Sequence, residues 1–499
     1  MNRQSGQWLW LLLPVLLGCY LFLGSHAGMA HALLVRSTPA AGAELAAAPP
    51  AIDLWFSEPL EGRFSTVYLV DTAGVEIGKG DATVDAADPT HMTLVPPPLA
   101  PGIYTVVWRT LSSADGHEWV GSFPLTLLNP DGSPPGQAAN GVTLPGGSQL
   151  PSAVATSVRW LSLLGALLLL GTAFFRYGMV KGIADLTAPW QSTIDRGADL
   201  AMLAALVALL AGGWQQMVIQ ADQLGNRALV GTLLLQTRTG HLMLARQLLV
   251  IFLLVVGLVS RRRQRQGTLS FRRSWEHWVA LPVSLLVLGT FSLGSHAAAV
   301  AGSGWAILVD YVHLVAAALW LGGLWTLATF SWRYRHSIAD RNGQARGLFV
   351  QLVQRFSVIA LLTVYCLLIT GLFSSIVQLG TWRQLWTTAY GQVLLLKVFL
   401  LFVTLAIALR NHRGVRALAH MTPAANIDAA AAQPYHAFAR RLVGESVFSL
   451  ALVLVVAMLV QTPPQLVSSA PETTEQLFTR NGCGRSQPTS PNCPQSGGQ

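Results

Sequence analysis

Charge is scarce in this chain. Only 11% of its 499 residues are Asp, Glu, Lys or Arg, whereas 52% are hydrophobic. That balance excludes a purely soluble enzyme and points to multiple membrane spans. Acidic residues are the scarcer sign, 23 against 32 Lys and Arg, giving a formal charge of +9. A basic balance can mark a nucleic-acid partner, but no reading motif accompanies it here. The arginines stand mostly between apolar runs, where cytoplasmic loops are expected. Cysteine is nearly absent: there are four and no C-x-x-C, which removes zinc-site and thioredoxin readings. Cys19 and Cys366 fall in apolar runs. Cys483 and Cys493 share a polar tail at 463–499, read as structural or dispensable, and could pair only in an oxidising compartment. No P-loop, other ATP-binding motif or nucleophile–base constellation is present, so the chain reads as neither an ATP-driven pump nor an enzyme.

What the sequence does have begins with a leader. Arg3 precedes "WLWLLLPVLLGCYLFLG" and then small residues, the pattern of a secretory signal at 1–30. Gly28-Met29-Ala30 is an acceptable cleavage triplet, and the "SHA" ending at Ala27 competes with it. A lipoprotein at Cys19 fits poorly because the apolar run continues past it. Cleavage after Ala30 would make His31 the N-terminus, offering an imidazole beside a free amine.

From 31 to 129 the texture changes. Short alternating runs ("IDLWF", "FSTVYLV", "IYTVVW", "FPLTL") are broken by Gly, Pro and Asp clusters, which argues for a small antiparallel sandwich or barrel. Residues 130–153 read as a linker. Eight apolar stretches follow within 154–462, near 154–175, 199–219, 242–260, 278–297, 306–330, 356–378, 391–409 and 442–461. Each is long enough to cross a hydrocarbon core as a helix. With the β domain exported, the cytoplasmic loops hold 19 Lys and Arg, and the outer loops between spans hold only Arg227, Arg238 and Arg383. The asymmetry predicts a multi-pass protein of the bacterial cytoplasmic membrane with both the β domain and the tail extracytoplasmic.

The chemistry concentrates at "SADGHEW", 113–119. Asp115 and His117 stand two apart and share a face if the segment is extended. With His31 they offer an amine, two imidazoles and a carboxylate. A nitrogen-rich tetragonal set suits Cu(II), with Asp115 axial or outer-sphere. The plain alternative is that Asp-Gly-His is only a turn.

"HALLVRSTPAAGAEL", "IDLWFSEPLE" and "SSADGHEWVGSF" resemble the periplasmic copper-binding family CopC. That resemblance implies an all-β, Greek-key, Ig-like barrel holding one Cu(II) through His31 and His117, with Asp115 beside them. It also matches Glu58 to an acidic position that helps order the site. Some members carry a Met-rich Cu(I) segment; here residues 31–150 contain only Met92, beside His91, so no Cu(I) site is expected there.

Polar residues within spans raise a functional question by default. His313, about 10 Å below the start of its span at 1.5 Å per residue, shares a helical face with Asp310. His296, His241, Met243 and Met217 fall in the same outer half, and together the six residues outline a copper path; the plain alternative is hydrogen bonding between helices. The oxidation state of copper in this part stays open. Arg246, Lys397 and Glu445 could pair with one another, hold helices or carry protons. "WLGGLW" offers small residues for close helix contact.

"DYVHLVAAALWLGGLW", "RFSVIALLTVYCLLITGLFSS" and "TAYGQVLLLKVFLLFVTLAIALRNH" resemble the CopD copper-resistance membrane family. The chain therefore resembles a CopC–CopD fusion, an all-β domain followed by an all-α polytopic membrane domain. The resemblance implies copper capture outside and import, with copper ions, the bilayer and a periplasmic chaperone or reductase as partners. Two other readings stay open: a haem-containing electron-transfer or cupric-reductase-like protein, and a copper buffer without transport.

Overall fold

The computed structural model describes residues 32–78, 82–135, 151–180, 188–224, 226–265, 276–299, 304–333, 343–379, 381–420 and 429–462. The leader, its cleavage site, His31, most of the linker and the tail with Cys483 and Cys493 lie outside the described residues.

The alternating runs form a two-sheet sandwich rather than a closed barrel. One sheet has the order β1 (Leu34–Thr38), β3 (Ile52–Phe56), β7 (His91–Leu94), β6 (Ala82–Val84). The other has β2 (Glu44–Leu45), β9 (Glu118–Leu127), β8 (Gly102–Leu111), β4 (Thr66–Val70), β5 (Glu76–Ile77). β2 pairs parallel with β9; the other pairs are antiparallel. Period-two alternation decides the faces: Ile52, Leu54 and Phe56 of β3 point inward against Val67, Leu69, Trp108 and Phe123. Burying each such side chain contributes about 1.5–3 kcal/mol. Met92 is fully buried in this core, so its sulfur is packing material. The longest hairpin, β8–β9, runs in register from Gly102↔Leu127 to Leu111↔Glu118, and its tip is the loop 112–117.

The helical part comprises α1 (Ala153–Phe174), α2 (Ala188–Gln223), α3 (Val230–Gln236), α4 (Arg238–Arg265), α5 (Glu276–Ser292), α6 (Gly304–Ala317), α7 (Gly323–Arg333), α8 (Gly343–Gln378), α9 (Gln384–Thr387), α10 (Ala389–His420) and α11 (Ala429–Leu459). A π-turn extends α1 through Phe175–Met179, and another joins α6 to α7 through Ala318–Gly322. Among the described residues seven helices are long and apolar enough to cross a membrane. The fourth of the eight expected spans, 278–297, differs. Its helix stops at Ser292 after 17 residues, and the chain then turns into a 3-10 segment, His296–Ala299. His296 is thereby lifted off the helix.

The small residues of "WLGGLW" make the contact expected of them. A Cβ on Gly171 of α1 would lie 2.4 Å from the Cα of Gly322, so only glycine lets these backbones cross. Trp320 and Leu324 are buried beside the crossing, whereas Leu361, Leu362, Phe399 and Phe402 face outward. Among the described residues Arg246, Lys397 and Glu445 do not pair with one another. Arg246 bonds the hydroxyl and carbonyl of Thr290 and lies 3.6 Å over the Phe291 ring. Glu445 accepts a 2.6 Å bond from the Asn411 amide. Lys397 lies in the charge field of Asp310.

Candidate metal centre

Asp115-Gly116-His117 is a turn, not an extended segment, and the turn itself brings the two side chains together. Asp115 Oδ1 accepts the His117 backbone N–H at 3.0 Å, and its Oδ2 lies 3.0 Å from His117 Nδ1. Gly116 makes this possible with φ +74. Glu58, fully buried, accepts the Ser112 hydroxyl; that oxygen in turn receives the Ala114 N–H at 3.1 Å. A buried carboxylate thus organises the loop from below.

The loop is docked on the helical part. Gln220 of α2 donates to the Gly116 carbonyl at 2.7 Å. Arg238, at the start of α4, donates to the Ala114 carbonyl at 2.8 Å and to the Leu293 carbonyl at 3.1 Å, so one guanidinium bridges sandwich and membrane domain. Its backbone N–H reaches Glu61 at 3.3 Å. Leu111 packs with Ala221 and Leu233 in a small buried cluster beside Phe64. A Cβ on Gly116 would lie 2.5 Å from the Thr239 hydroxyl, so the approach is as close as glycine permits.

Docking brings a third ligand. His296 Nδ1 lies 2.8 Å from Asp115 Oδ2, and its Nε2 faces the Val460 carbonyl at 2.9 Å. A carbonyl only accepts, so Nε2 carries the proton, and the ring is aimed at Asp115 by the outer partner that metal-binding histidines commonly use. The ligand atoms of Asp115, His117 and His296 all lie within 4.8 Å of one another. Asp115 is buried. Burial opposes its charge, but the two imidazoles outweigh burial through charge and hydrogen bonding and hold its carboxyl well below the usual carboxylate range. In a square-planar site with bonds of about 2.0 Å, adjacent ligand atoms stand roughly 2.8 Å apart. The two Asp115–imidazole separations, 2.8 and 3.0 Å, already match that spacing.

The other sequence candidates fare differently. His31 lies outside the described residues; its neighbour Ala32 is buried, with its carbonyl 3.4 Å from the Thr110 hydroxyl near the hairpin tip. His241 turns Nε2 to the Leu235 carbonyl at 2.9 Å and stays apart from the cluster. Met217 and Met243 are buried, and the Met243 sulfur takes the Gln247 amide at 3.5 Å. Asp310 accepts the Ser295 hydroxyl at 3.1 Å, and His313 Nδ1 meets the Thr370 hydroxyl at 2.8 Å. The sequence reading missed Gln220, Arg238 and Val460. Arg238 left one trace, as one of only three Lys or Arg in the outer loops.

A β-sandwich that presents carboxylate and imidazole on one loop, docked on a polytopic helical domain, defines a membrane-bound protein of metal handling. The CopC domain family matches residues 34–127 and the copper resistance protein D family matches residues 350–459, so one chain carries both domains, and through the first of them it belongs to the CopC family. The copper transport protein CutJ of Bacillus subtilis (strain 168) is 28% identical over 408 residues, 79% of this chain and 69% of that protein. Copper resistance protein C of Pseudomonas syringae pv. tomato is 44% identical over 106 residues, 20% of this chain and 82% of that protein. The crystal structure of CopC from Methylosinus trichosporium OB3b is 35% identical, covers 20% of this chain and 94% of that one, and aligns with a TM-score of 0.19.

Proposed function

We propose that this protein captures Cu(II) on the extracytoplasmic side of the cytoplasmic membrane and passes it inward. The observation that carries this reading is the contact between Asp115 of the sandwich and His296 of the membrane domain. A donor loop clamped on an acceptor histidine is what hand-over requires, and a covalent tether raises the effective concentration of one site at the other. The donor set is nitrogen and oxygen in tetragonal spacing, which suits Cu(II). His31 completes the capture site through its amine and imidazole, and the position of Ala32 near the hairpin tip supports this. The arginine excess of the loops at the far end supports an extracytoplasmic sandwich, and the inward direction follows from the CopC–CopD resemblance. The protein acts as a carrier without catalytic chemistry of its own, supplied with Cu(II) by a periplasmic chaperone.

The test is a cytoplasmic copper reporter in cells expressing wild type or His296→Ala. Wild type is expected to raise the signal and the variant to abolish the rise while the purified protein still binds copper at the sandwich. No rise with wild type would overturn import. A rise unchanged in the variant would overturn hand-over through His296.

A further inference from the structure

The geometry points to a second copper site inside the membrane domain, built on Asp310 and His313 and filled through Ser295. We infer this on the strength of the import reading above, and four observations support it.

Asp310 and His313 stand three apart on α6, on one helical face. His313 Nδ1 lies 2.8 Å from the Thr370 hydroxyl of α8. That hydroxyl spends its proton on the Cys366 carbonyl at 2.7 Å. It can therefore only accept from the ring, so Nδ1 carries the imidazole proton and Nε2 presents its lone pair. A Cβ on Gly371 would lie 3.5 Å from His313 Cε1, so the glycine leaves the ring edge uncrowded. This is the orientation of a metal-ligating histidine, fixed by an outer partner on its other nitrogen.

The carboxylate is one residue from the docked site. Ser295 precedes His296, and its hydroxyl is shared between the Ser292 carbonyl at 2.9 Å and Asp310 Oδ2 at 3.1 Å. His296 acts on Asp310 by charge, as does Lys397 of α10. Lys397 also acts on His313. A lysine near a buried carboxylate balances it when no ion is present, and an arriving cation takes over that role. Carboxylate, hydroxyl and imidazole again suit Cu(II), so the ion meets the same donor chemistry at both sites.

The experiment titrates Cu(II) into the full chain in nanodiscs, against a chromophoric chelator and by EPR. Wild type is expected to bind two equivalents with two signals. Asp310→Asn and His313→Gln are each expected to bind one and lose the second signal. Thr370→Val keeps both ligands and the helix packing but releases the ring; it should weaken only the second equivalent, by about tenfold or more. A wild type that binds one equivalent, or variants that keep both signals with unchanged affinity, would overturn the site. The cytoplasmic reporter separates the two readings. Two equivalents without import in wild type leave the site standing and sink the import reading. Import at the wild-type level in all three variants removes the site from the path.

Discussion

The two ends of α2 handle carboxylates in opposite ways. Near its start Asp195 and Asp199 face Arg176 at 3.2 and 2.5 Å, and Arg261 reaches Asp199 at 3.7 Å. Near its end Gln220 holds the loop of Asp115, whose partners are His117 and His296. A guanidinium never gives up its proton and has no lone pair to offer. An imidazole has one, so a metal can replace the hydrogen bond between ring and carboxylate. The first arrangement is closed by guanidinium groups, and the second is lined by bases that can offer a lone pair. Carboxylates alone therefore do not mark the proposed copper site; the kind of base beside them does.

The contrast breaks most completely at His117. His117→Ala leaves Asp115 with His296 and removes a nitrogen from both the capture set and the docked set. Outer partners of metal ligands are worth 10- to 100-fold in affinity, so losing a ligand should cost about 100-fold or more at this site. A chelator competition on the full chain measures it, and unchanged affinity would show that the hairpin tip is not where copper binds.

Much of this arrangement was legible in the residues. "IDLWF" alternates because one face of β3 is buried, and the structure keeps that alternation. Asp115 and His117 were legible as a pair, although through the wrong geometry: the rule that alternate residues share a face holds for extended chain, and a positive-φ glycine breaks it. The convergence of His296 on Asp115, across 181 positions of sequence, was not legible. Periodicity reports which face is buried and not what it is buried against. His241 and His296 both stood at outer ends of apolar runs, and their backbone partners differ: the Leu235 carbonyl takes one ring, while the Val460 carbonyl holds the other facing Asp115. Backbone acceptors leave no sign in side-chain patterns. The short fourth helix was hidden for a similar reason, since the apolar run continues through Ala297–Ala299 after the helix has ended.

Gly116→Ala sharpens the comparison at the docking contact. The left-handed backbone costs a residue with a Cβ about 1–2 kcal/mol, and the new methyl would meet Thr239 at 2.5 Å. Import should fall by about tenfold, the equivalent of about 1.4 kcal/mol, with a smaller loss of copper affinity at Asp115 and His117. The double variant with Thr239→Ala removes the overlap and keeps the backbone cost, so it should recover part of the import. Equal import by the single and double variants would show that Thr239 does not set the approach of the loop.

The smallest effect belongs to the other end of the helix. Asp199→Asn keeps the shape and one acceptor but removes the charge that faces Arg176 and Arg261. Both partners are partly exposed, so the pair contributes only about 0.5–1 kcal/mol. The expected reading is a melting temperature lower by about 1–2 °C, given how weakly large domains respond per kcal/mol. Copper should not register the change. Asp199 and Gln220 stand about 30 Å apart along α2 at 1.5 Å per residue. At that distance and an effective dielectric of about 20, a unit charge acts with only about 0.5 kcal/mol. Import by Asp199→Asn should therefore match wild type. A loss as large as that of Gly116→Ala would mean that α2 transmits between its ends, and the closed carboxylates would then belong to the transport cycle and not only to the fold.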